Sequence, residues 1–186
     1  MPKLEKLHIF YQRIYVYDII NQRGVVMYLE KLKEIVETGV TDKAFPGATY
    51  AVVLPDAVYI NYVGDRSWFP EVEPNSVDTI YDMASVTKVM TTTTCILKLL
   101  EEGKVRLFSK VSSFLPRFKH QNLVLWHLLT HTSGLNEGIP GVTKIKSSEE
   151  AWNKAYDMDL IYEPGTKIQY SDVNYILLGK IVEVVS

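Results

Sequence analysis

The chain has little of what several classes of protein require. Its single cysteine, Cys95, excludes an internal disulfide framework. No apolar run reaches the length of about 18 residues that a membrane-spanning helix needs. The 20 basic and 22 acidic residues leave a net charge of −2, so no excess of positive charge indicates a nucleic acid or an anionic membrane as partner. We therefore expect a protein that binds neither.

Two hydrolase motifs are also absent. No G-x-S-x-G sequence occurs, so the nucleophile elbow of an α/β-hydrolase is not expected. His127 and His131 have the spacing of a helical zinc site, but Leu128 stands where the zinc-protease pattern needs glutamate, and no third ligand is evident. We expect two structural histidines, with a metal site as the alternative, and we predict no metal and no cofactor.

The composition, 47% hydrophobic and 23% charged, is typical of a globular domain with a core. Residues 1–26 are rich in tyrosine and isoleucine but lack clear periodicity, so we predict an N-terminal extension there and a domain over residues 27–186. Arg13 and Asp18 interrupt the only apolar stretch near the N-terminus, and no small-residue cleavage site follows. A secretory signal is therefore not expected, which favours a cytoplasmic location.

The periodicity of apolar residues predicts an α+β fold. Helical spacing predicts helices over residues 27–38, 86–102, 124–130 and 147–156, a short helical turn at 111–116, and a last helix from about 173. Two strand-like segments, Ala48–Leu54 and Ala57–Val63, flank a Pro-Asp turn and predict a β-hairpin. Residues 64–77 are polar, contain two prolines and are predicted to form a loop.

Ser85 lies three residues before Lys88, at the start of the helix predicted from Val86. Residues three apart share a helix face, so the serine hydroxyl and the lysine amine can meet. The positive end of the helix dipole and burial would both disfavour a charged lysine there. A neutral Lys88 could take the proton of Ser85 and make it a nucleophile. Because S-x-x-K is a short motif, an N-cap serine beside a solvated lysine is the alternative.

Four segments in order favour the catalytic alternative. They are Thr79–Lys88, Leu100–Pro116, the Trp-His-Leu-Leu-Thr-His-Thr-Ser-Gly-Leu sequence within Leu125–Leu135, and Glu163-Pro-Gly-Thr with Tyr170-Ser171-Asp172. Together they resemble the serine β-lactamase and penicillin-binding-protein superfamily, in the branch of class C β-lactamases, D-alanyl-D-alanine carboxypeptidases and β-lactamase-like esterases. The resemblance covers about residues 27–186 and implies a helical subdomain with an antiparallel sheet.

By this resemblance the protein is a serine hydrolase that transfers the acyl group of a small-molecule substrate: a β-lactam, an ester or a D-amino-acid peptide. The resemblance makes Ser85 the acylated nucleophile, with its backbone N–H as half of an oxyanion hole. It makes Lys88 the proton acceptor and Tyr170 the group that carries the proton to the leaving group and helps to activate water. Asp172, the third residue of its motif, is expected to contact the substrate.

The chain departs from the family pattern at two points. Asp172 stands where class C enzymes typically have asparagine, and an ionised carboxylate can only accept hydrogen bonds and would raise the pKa of Lys88. The Lys/His/Trp-x-Gly motif expected after Tyr170 is absent. We therefore expect the N-terminal part of a longer enzyme that lacks sheet strands, has poor activity alone and associates through an exposed sheet edge. The alternative is a non-catalytic fragment or scaffold-type relative.

Overall fold

The computed structural model describes residues 22–186, so most of the predicted extension over residues 1–26 lies outside the described residues. The chain divides into two compact units, the first ending at Tyr81 and the second formed by Asp82–Ser186. The predicted boundary between extension and domain stays a prediction.

The first unit contains a helix and a small antiparallel sheet. Helix α1 spans Gln22–Thr41 and begins five residues before the predicted start. Strands β1 (Gly47–Val53) and β2 (Val58–Ser67) pair antiparallel, with Val53 opposite Val58, and the N–H of Leu54 donates to the carbonyl of Ala57 at 2.7 Å. The structure therefore confirms the predicted β-hairpin.

The predicted loop over residues 64–77 is partly wrong. Strand β2 continues to Ser67, and strand β3 (Glu73–Pro74) pairs with it antiparallel. Proline is tolerated in β3 because this short strand lies at the edge of the sheet. Buried Asn75 follows β3 directly and ties the chain to β2, since its side-chain amide donates to the carbonyl of Val63 at 3.1 Å.

Strand β1 forms the other edge of the sheet, and among the described residues its outer side has no paired strand. One face of the hairpin carries large apolar side chains that are exposed: Val53, Val58, Ile60 and Tyr62. An unpaired edge beside exposed apolar side chains favours pairing with another chain. The predicted association through this edge stays a prediction.

The second unit is mainly helical. Its helices are a π-helical segment at Lys88–Thr93, α2 (Thr94–Glu101), α3 (Val111–Phe114), α4 (Leu125–Leu129), a 3₁₀ turn (Val142–Lys144), α5 (Ser148–Asp157) and α6 (Asp172–Val185). Each helix predicted for this unit is present, and its ends lie within a few residues of the predicted ends. Ser147 caps α5, because its hydroxyl accepts from the N–H of Glu150 at 3.2 Å.

The π-helical segment was not predicted. A π turn has i→i+5 bonds, and the hydroxyl of Thr94 donates to the carbonyl of Val89, five residues earlier, at 3.1 Å. The extra residue rotates the following helix by about 100° relative to an uninterrupted α-helix. Of the apolar residues in and after this segment, Met90 and Leu97 are exposed, whereas Ile96 and Leu99 are buried.

One hydrophobic core holds the second unit together. Helix α6 crosses it and contributes a stripe of buried positions that begins at Val173 and ends at Ile181. Each fully buried aliphatic side chain stabilises the fold by about 1.5–3 kcal/mol. The buried apolar residues of this core are Ile96, Leu99, Val105, Val111, Leu115, Phe118, Leu123, Leu125, Leu128, Leu135, Ala155, Met158, Val173, Leu177, Leu178 and Ile181. Over residues 22–186, none of the helices has the length and apolar character needed to cross a membrane.

Two glycines provide a test of the packing around the loop after α4. Gly134 has φ 84°, and a Cβ there would lie 2.2 Å from the carbonyl oxygen of Tyr162, whereas Gly103 has φ 70° and nothing within 4 Å. We expect Gly103→Ala to lower the free energy of unfolding by about 1 kcal/mol through backbone strain alone. Gly134→Ala adds a steric clash and should cost about 3 kcal/mol. Urea denaturation of both variants measures the difference, and equal losses would contradict the close approach to Tyr162.

Candidate active site

Ser85 follows a tight turn that aims it at the start of the π-helical segment. The carboxylate of Asp82 accepts from the N–H of Ala84 at 2.8 Å, and Ala84 has φ 42°, in the left-handed region. Such a conformation costs a non-glycine residue about 1–2 kcal/mol and is found preferentially at functional sites. The N–H of Val86 then donates to the carbonyl of Met83 at 2.9 Å and begins the helical backbone.

Two side chains donate hydrogen bonds to the hydroxyl of Ser85. The phenol of Tyr170 donates to Ser85 Oγ at 2.6 Å, and the ammonium of Lys88 donates to the same atom at 3.3 Å. Lys88 Nζ also lies 4.9 Å from the centre of the Tyr170 ring. The residues predicted from separate motifs, 85 positions apart in sequence, are therefore in direct contact within the second unit.

The Asp172 carboxylate lies beside Lys88 and not beside Ser85. Asp172 Oδ1 is 2.7 Å from Lys88 Nζ, and the lysine side chain is 16% exposed whereas the aspartate is 58% exposed. The hydrogen bond to Asp172, and after it Tyr170, raises the pKa of Lys88 above its ordinary value of 10.5. The carboxylate of Asp172 therefore favours the charged form of Lys88 and acts against burial, which favours the neutral form.

The pKa of Tyr170 is shifted in the opposite direction to that of Lys88. The neighbouring Lys88 ammonium, and after it the hydrogen bond with Ser85, lower the pKa of Tyr170 below its ordinary value of 10.0. Both partners stabilise the ionised phenolate. Of the groups that contact Ser85, the phenol is therefore the one whose pKa moves toward neutral pH.

The backbone N–H of Ser85 has no hydrogen-bond acceptor in the part of the chain that the structure describes. It is therefore available as a donor to an oxygen near the serine hydroxyl, as an oxyanion hole requires. Because Tyr170 is about half exposed, the group of side chains is accessible from solvent within this unit.

The two histidines each accept a hydrogen bond from a backbone N–H. Among residues 22–186, no group of three or more His, Cys, Asp or Glu side chains is placed to hold an ion. His127 Nδ1 accepts from the N–H of Val124 at 3.3 Å, at the start of α4. His131 Nδ1 accepts from the N–H of Ser171 at 3.1 Å, and its ring packs against that of Tyr170, with centroids 4.7 Å apart.

Sequence reasoning singled out Ser85, Lys88, Tyr170 and Asp172, and the structure brings these four together. It missed Asp82, whose carboxylate forms the turn before Ser85, and the contact of His131 with Tyr170. An aspartate two residues before a strained position is a recognisable signal for the first. Nothing in the spacing of the sequence indicates the second.

Comparison with known proteins identifies relatives over most of the chain. The chain is 29% identical over 164 residues to "Protein flp" of Staphylococcus aureus (strain NCTC 8325 / PS 47), covering 83% of this chain and 33% of that protein. It is 29% identical over 190 residues to "N-acetylmuramyl-L-alanine amidase" of Bacillus subtilis (strain 168), covering 89% and 43%. The chain thus spans a third to less than half of the length of these relatives.

Solved structures show the same fold. A class C beta-lactamase in complex with cefoxitin superposes with a TM-score of 0.72 at 23% identity, over 82% of this chain and 43% of that one. The D-amino acid amidase from Ochrobactrum anthropi SV3 gives 0.67 at 24% identity, over 80% and 42%. The α+β fold with a helical unit and an antiparallel sheet is therefore confirmed. The family model described as Beta-lactamase matches residues 32–186, and this protein belongs to that family.

Proposed function

We propose that the protein is a serine hydrolase that forms an acyl-enzyme on Ser85. The observation that carries the proposal is the meeting of three groups at one atom, because Tyr170 OH lies 2.6 Å and Lys88 Nζ 3.3 Å from Ser85 Oγ. A nucleophile, a base beside it and a fixed positive charge are what acyl transfer requires. The relatives are hydrolases by name, which supports the same reaction class.

In the proposed acylation, Tyr170 acts as the base. Its phenolate, stabilised by Lys88, takes the proton of Ser85 as Oγ bonds to the carbonyl carbon of the substrate. The oxygen of the tetrahedral intermediate then accepts a hydrogen bond from the backbone N–H of Ser85. When the intermediate collapses, the bond to the leaving group breaks, and Tyr170 returns the proton to the leaving nitrogen or oxygen. Lys88 stays protonated throughout and stabilises the negative charge.

Deacylation uses the same groups in reverse. The Tyr170 phenolate takes a proton from water, the water oxygen bonds to the acyl carbon, and the ester bond to Ser85 breaks. Tyr170 then returns the proton to Ser85 Oγ, and the carboxylic acid product leaves. The prediction that Lys88 accepts the proton is replaced by this assignment, because Asp172 favours the charged lysine.

Asp172 is proposed to select among acyl substrates. Its Oδ1 is bound to Lys88, and its side chain is more than half exposed, so Oδ2 can face a bound substrate. An ionised carboxylate accepts hydrogen bonds and donates none. We therefore expect substrates with an N–H or ammonium group near the scissile carbonyl, such as amino-acid esters, amides or peptides, to be favoured over acyl groups that offer only acceptors.

The first prediction concerns the nucleophile. Incubation with a fluorophosphonate or a fluorescent penicillin should give one adduct, and mass spectrometry should locate it on Ser85. Ser85→Ala should abolish labelling, whereas Ser113→Ala, at an exposed serine of α3, should leave it unchanged. Tyr170→Phe and Lys88→Ala should each slow labelling by roughly 10²-fold, a typical effect of losing an acid–base group.

Two outcomes would contradict this assignment. Labelling that persists in Ser85→Ala would place the nucleophile elsewhere. A folded wild-type protein that forms no adduct with either reagent would favour the non-catalytic scaffold alternative. Where the adduct does form on Ser85, initial rates with nitrocefin, p-nitrophenyl esters and D-alanyl peptides distinguish turnover from acylation without release.

The second prediction concerns the charge of Lys88. Because the Asp172 carboxylate is the main cause of the raised pKa, Asp172→Asn should lower the pKa of Lys88. A pKa raised in the folded state means that the ion pair stabilises the protein below about pH 10.5 and that this contribution is lost as the pH rises through the folded pKa. NMR titration of the lysine Cε signal, assigned with Lys88→Arg, measures the shift.

Lys180 provides the matched control. Its pKa is raised mainly by the carboxylate of Glu183, three residues along α6. Glu183→Gln should lower the pKa of Lys180 and leave that of Lys88 unchanged. An unaltered pKa of Lys88 in Asp172→Asn would show that the carboxylate does not control the lysine.

A further inference from the structure

We propose that His131 is a positioning residue that holds the phenol of Tyr170 against Ser85. The proposal rests on the proposed function, in which Tyr170 transfers the proton. His131 contacts Tyr170 and both of its neighbours in sequence, Gln169 and Ser171. The carbonyl of His131 accepts from the N–H of Gln169 at 2.8 Å, and Nδ1 accepts from the N–H of Ser171 at 3.1 Å. The imidazole itself packs against the Tyr170 ring at 4.7 Å and 30°.

The backbone of His131 is fixed by the end of α4. Its N–H donates to the carbonyl of Leu128 at 3.3 Å, and its φ of 57° lies in the left-handed region. Histidine, like asparagine and aspartate, is enriched several-fold at such positions. The N–H of Thr132 then donates back to the carbonyl of His127 at 2.9 Å, so the chain turns sharply around His131.

The imidazole has two further neighbours. It packs against the Tyr175 ring, with centroids 5.2 Å apart, and the amide of Asn174 lies 3.2 Å from Nδ1. Asn174 is fully buried, and its Oδ1 accepts from the hydroxyl of Ser133 at 2.6 Å, which directs Nδ2 toward the histidine. A ring that contacts two aromatic rings and two donors has little freedom, and we infer that it limits the movement of Tyr170.

These contacts assign the protonation state of His131. Because Nδ1 accepts from a backbone N–H, it carries no proton, and the neutral ring has its proton on Nε2. A proton on Nδ1 would face the N–H of Ser171 and the amide of Asn174, which are both donors. Protonation would therefore push away the residue next to Tyr170.

The charged and titratable groups around the ring favour the neutral form on balance. Burial, and after it the positive charge of Lys88, lower the pKa of His131 below its ordinary value of 6.5, and Asp172 acts in the opposite direction. The rings of Tyr170 and Tyr175 both pack against the imidazole. Since the folded pKa is lowered, stability conferred by the neutral ring is present above about pH 6.5 and declines as the pH falls through that value.

His127 offers a control with the same chemistry and a different neighbourhood. Its Nδ1 also accepts from a backbone N–H, that of Val124, and burial also lowers its pKa. No contact between His127 and Tyr170 occurs within the described chain. A role in stability alone would make the two histidines equivalent, whereas a positioning role distinguishes them.

The test compares His131→Asn with His127→Asn. Asparagine is compatible with the left-handed backbone at position 131 and can accept a hydrogen bond, but it lacks the ring that packs on Tyr170. The readout is the pKa of the Tyr170 phenol, followed by NMR of tyrosine labelled with ¹³C at Cζ and assigned with Tyr170→Phe. This measurement needs no substrate and no turnover.

We expect His131→Asn to raise the pKa of Tyr170 toward its ordinary value of 10.0, because the phenol loses its fixed approach to Lys88 and Ser85. Fluorophosphonate labelling of the folded fraction should slow by about 10- to 100-fold, the cost of a misplaced reacting group. His127→Asn should change neither, even where both variants lose stability. An unchanged pKa of Tyr170 and an unchanged labelling rate in folded His131→Asn would overturn the proposal.

A titration of the wild-type protein covers the case in which His131→Asn fails to fold. The Tyr170 signal should show an inflection in acid that coincides with the titration of His131 and not with that of His127. A Tyr170 signal that does not change when His131 is protonated would refute the proposal. A coupled signal in a protein that never labels at Ser85 would support the positioning role and reject the acyl-enzyme.

Discussion

The ammonium of Lys88 determines the electrostatics of the whole site. It lies 2.7 Å from Asp172 Oδ1 and 3.3 Å from Ser85 Oγ, and its charge acts on every titratable group nearby. It lowers the pKa of Tyr170 and disfavours protonation of His131. Because Asp172 in turn favours the charged form of Lys88, this ion pair supports the proposal that Tyr170 is the base.

The core determines whether these charges meet at all. Tyr170 and Asp172 precede the buried stripe of α6, whereas Lys88 begins the π-helical segment that leads into α2. The hydroxyl of Tyr175 connects the segments, since it lies 3.3 Å from both Thr93 Oγ1 and the carbonyl of Leu129. Tyr175 of α6 therefore contacts both the π-helical segment and the end of α4 at one point beside the site.

Much of this arrangement follows from the sequence. Apolar periodicity predicted the hairpin and the positions of α4, α5 and α6, because each has a simple spacing and a clear end signal. Spacing also predicted that Ser85 and Lys88 meet, since residues three apart share a helix face. The π-helical segment escaped prediction because apolar spacing carries no sign of a local change from i→i+4 to i→i+5 hydrogen bonding.

The charge of Lys88 shows where reasoning from sequence reaches its limit. The sequence indicated two opposite effects, since a helix start and burial disfavour a cation and a neighbouring carboxylate favours one. Only the 2.7 Å separation from Asp172, 84 positions later, decides between them. The same holds for His131, whose contacts with Gln169, Tyr170 and Ser171 depend on how the chain turns after α4.

Under the proposed function, proton transfer and substrate choice depend on different groups of residues that share only Asp172. Ser85, Lys88, Tyr170 and His131 lie in one unit, and their mutual contacts need no substrate to form. Asp172 takes part in both functions, because one carboxylate oxygen holds Lys88 and the exposed remainder can accept from a ligand. We therefore expect a substitution of Asp172 to change both the pKa of Lys88 and the preference for substrates. A change at His131, which touches Tyr170 and lies beside no exposed carboxylate oxygen in the described contacts, should alter the rate and leave the order of preference among substrates intact.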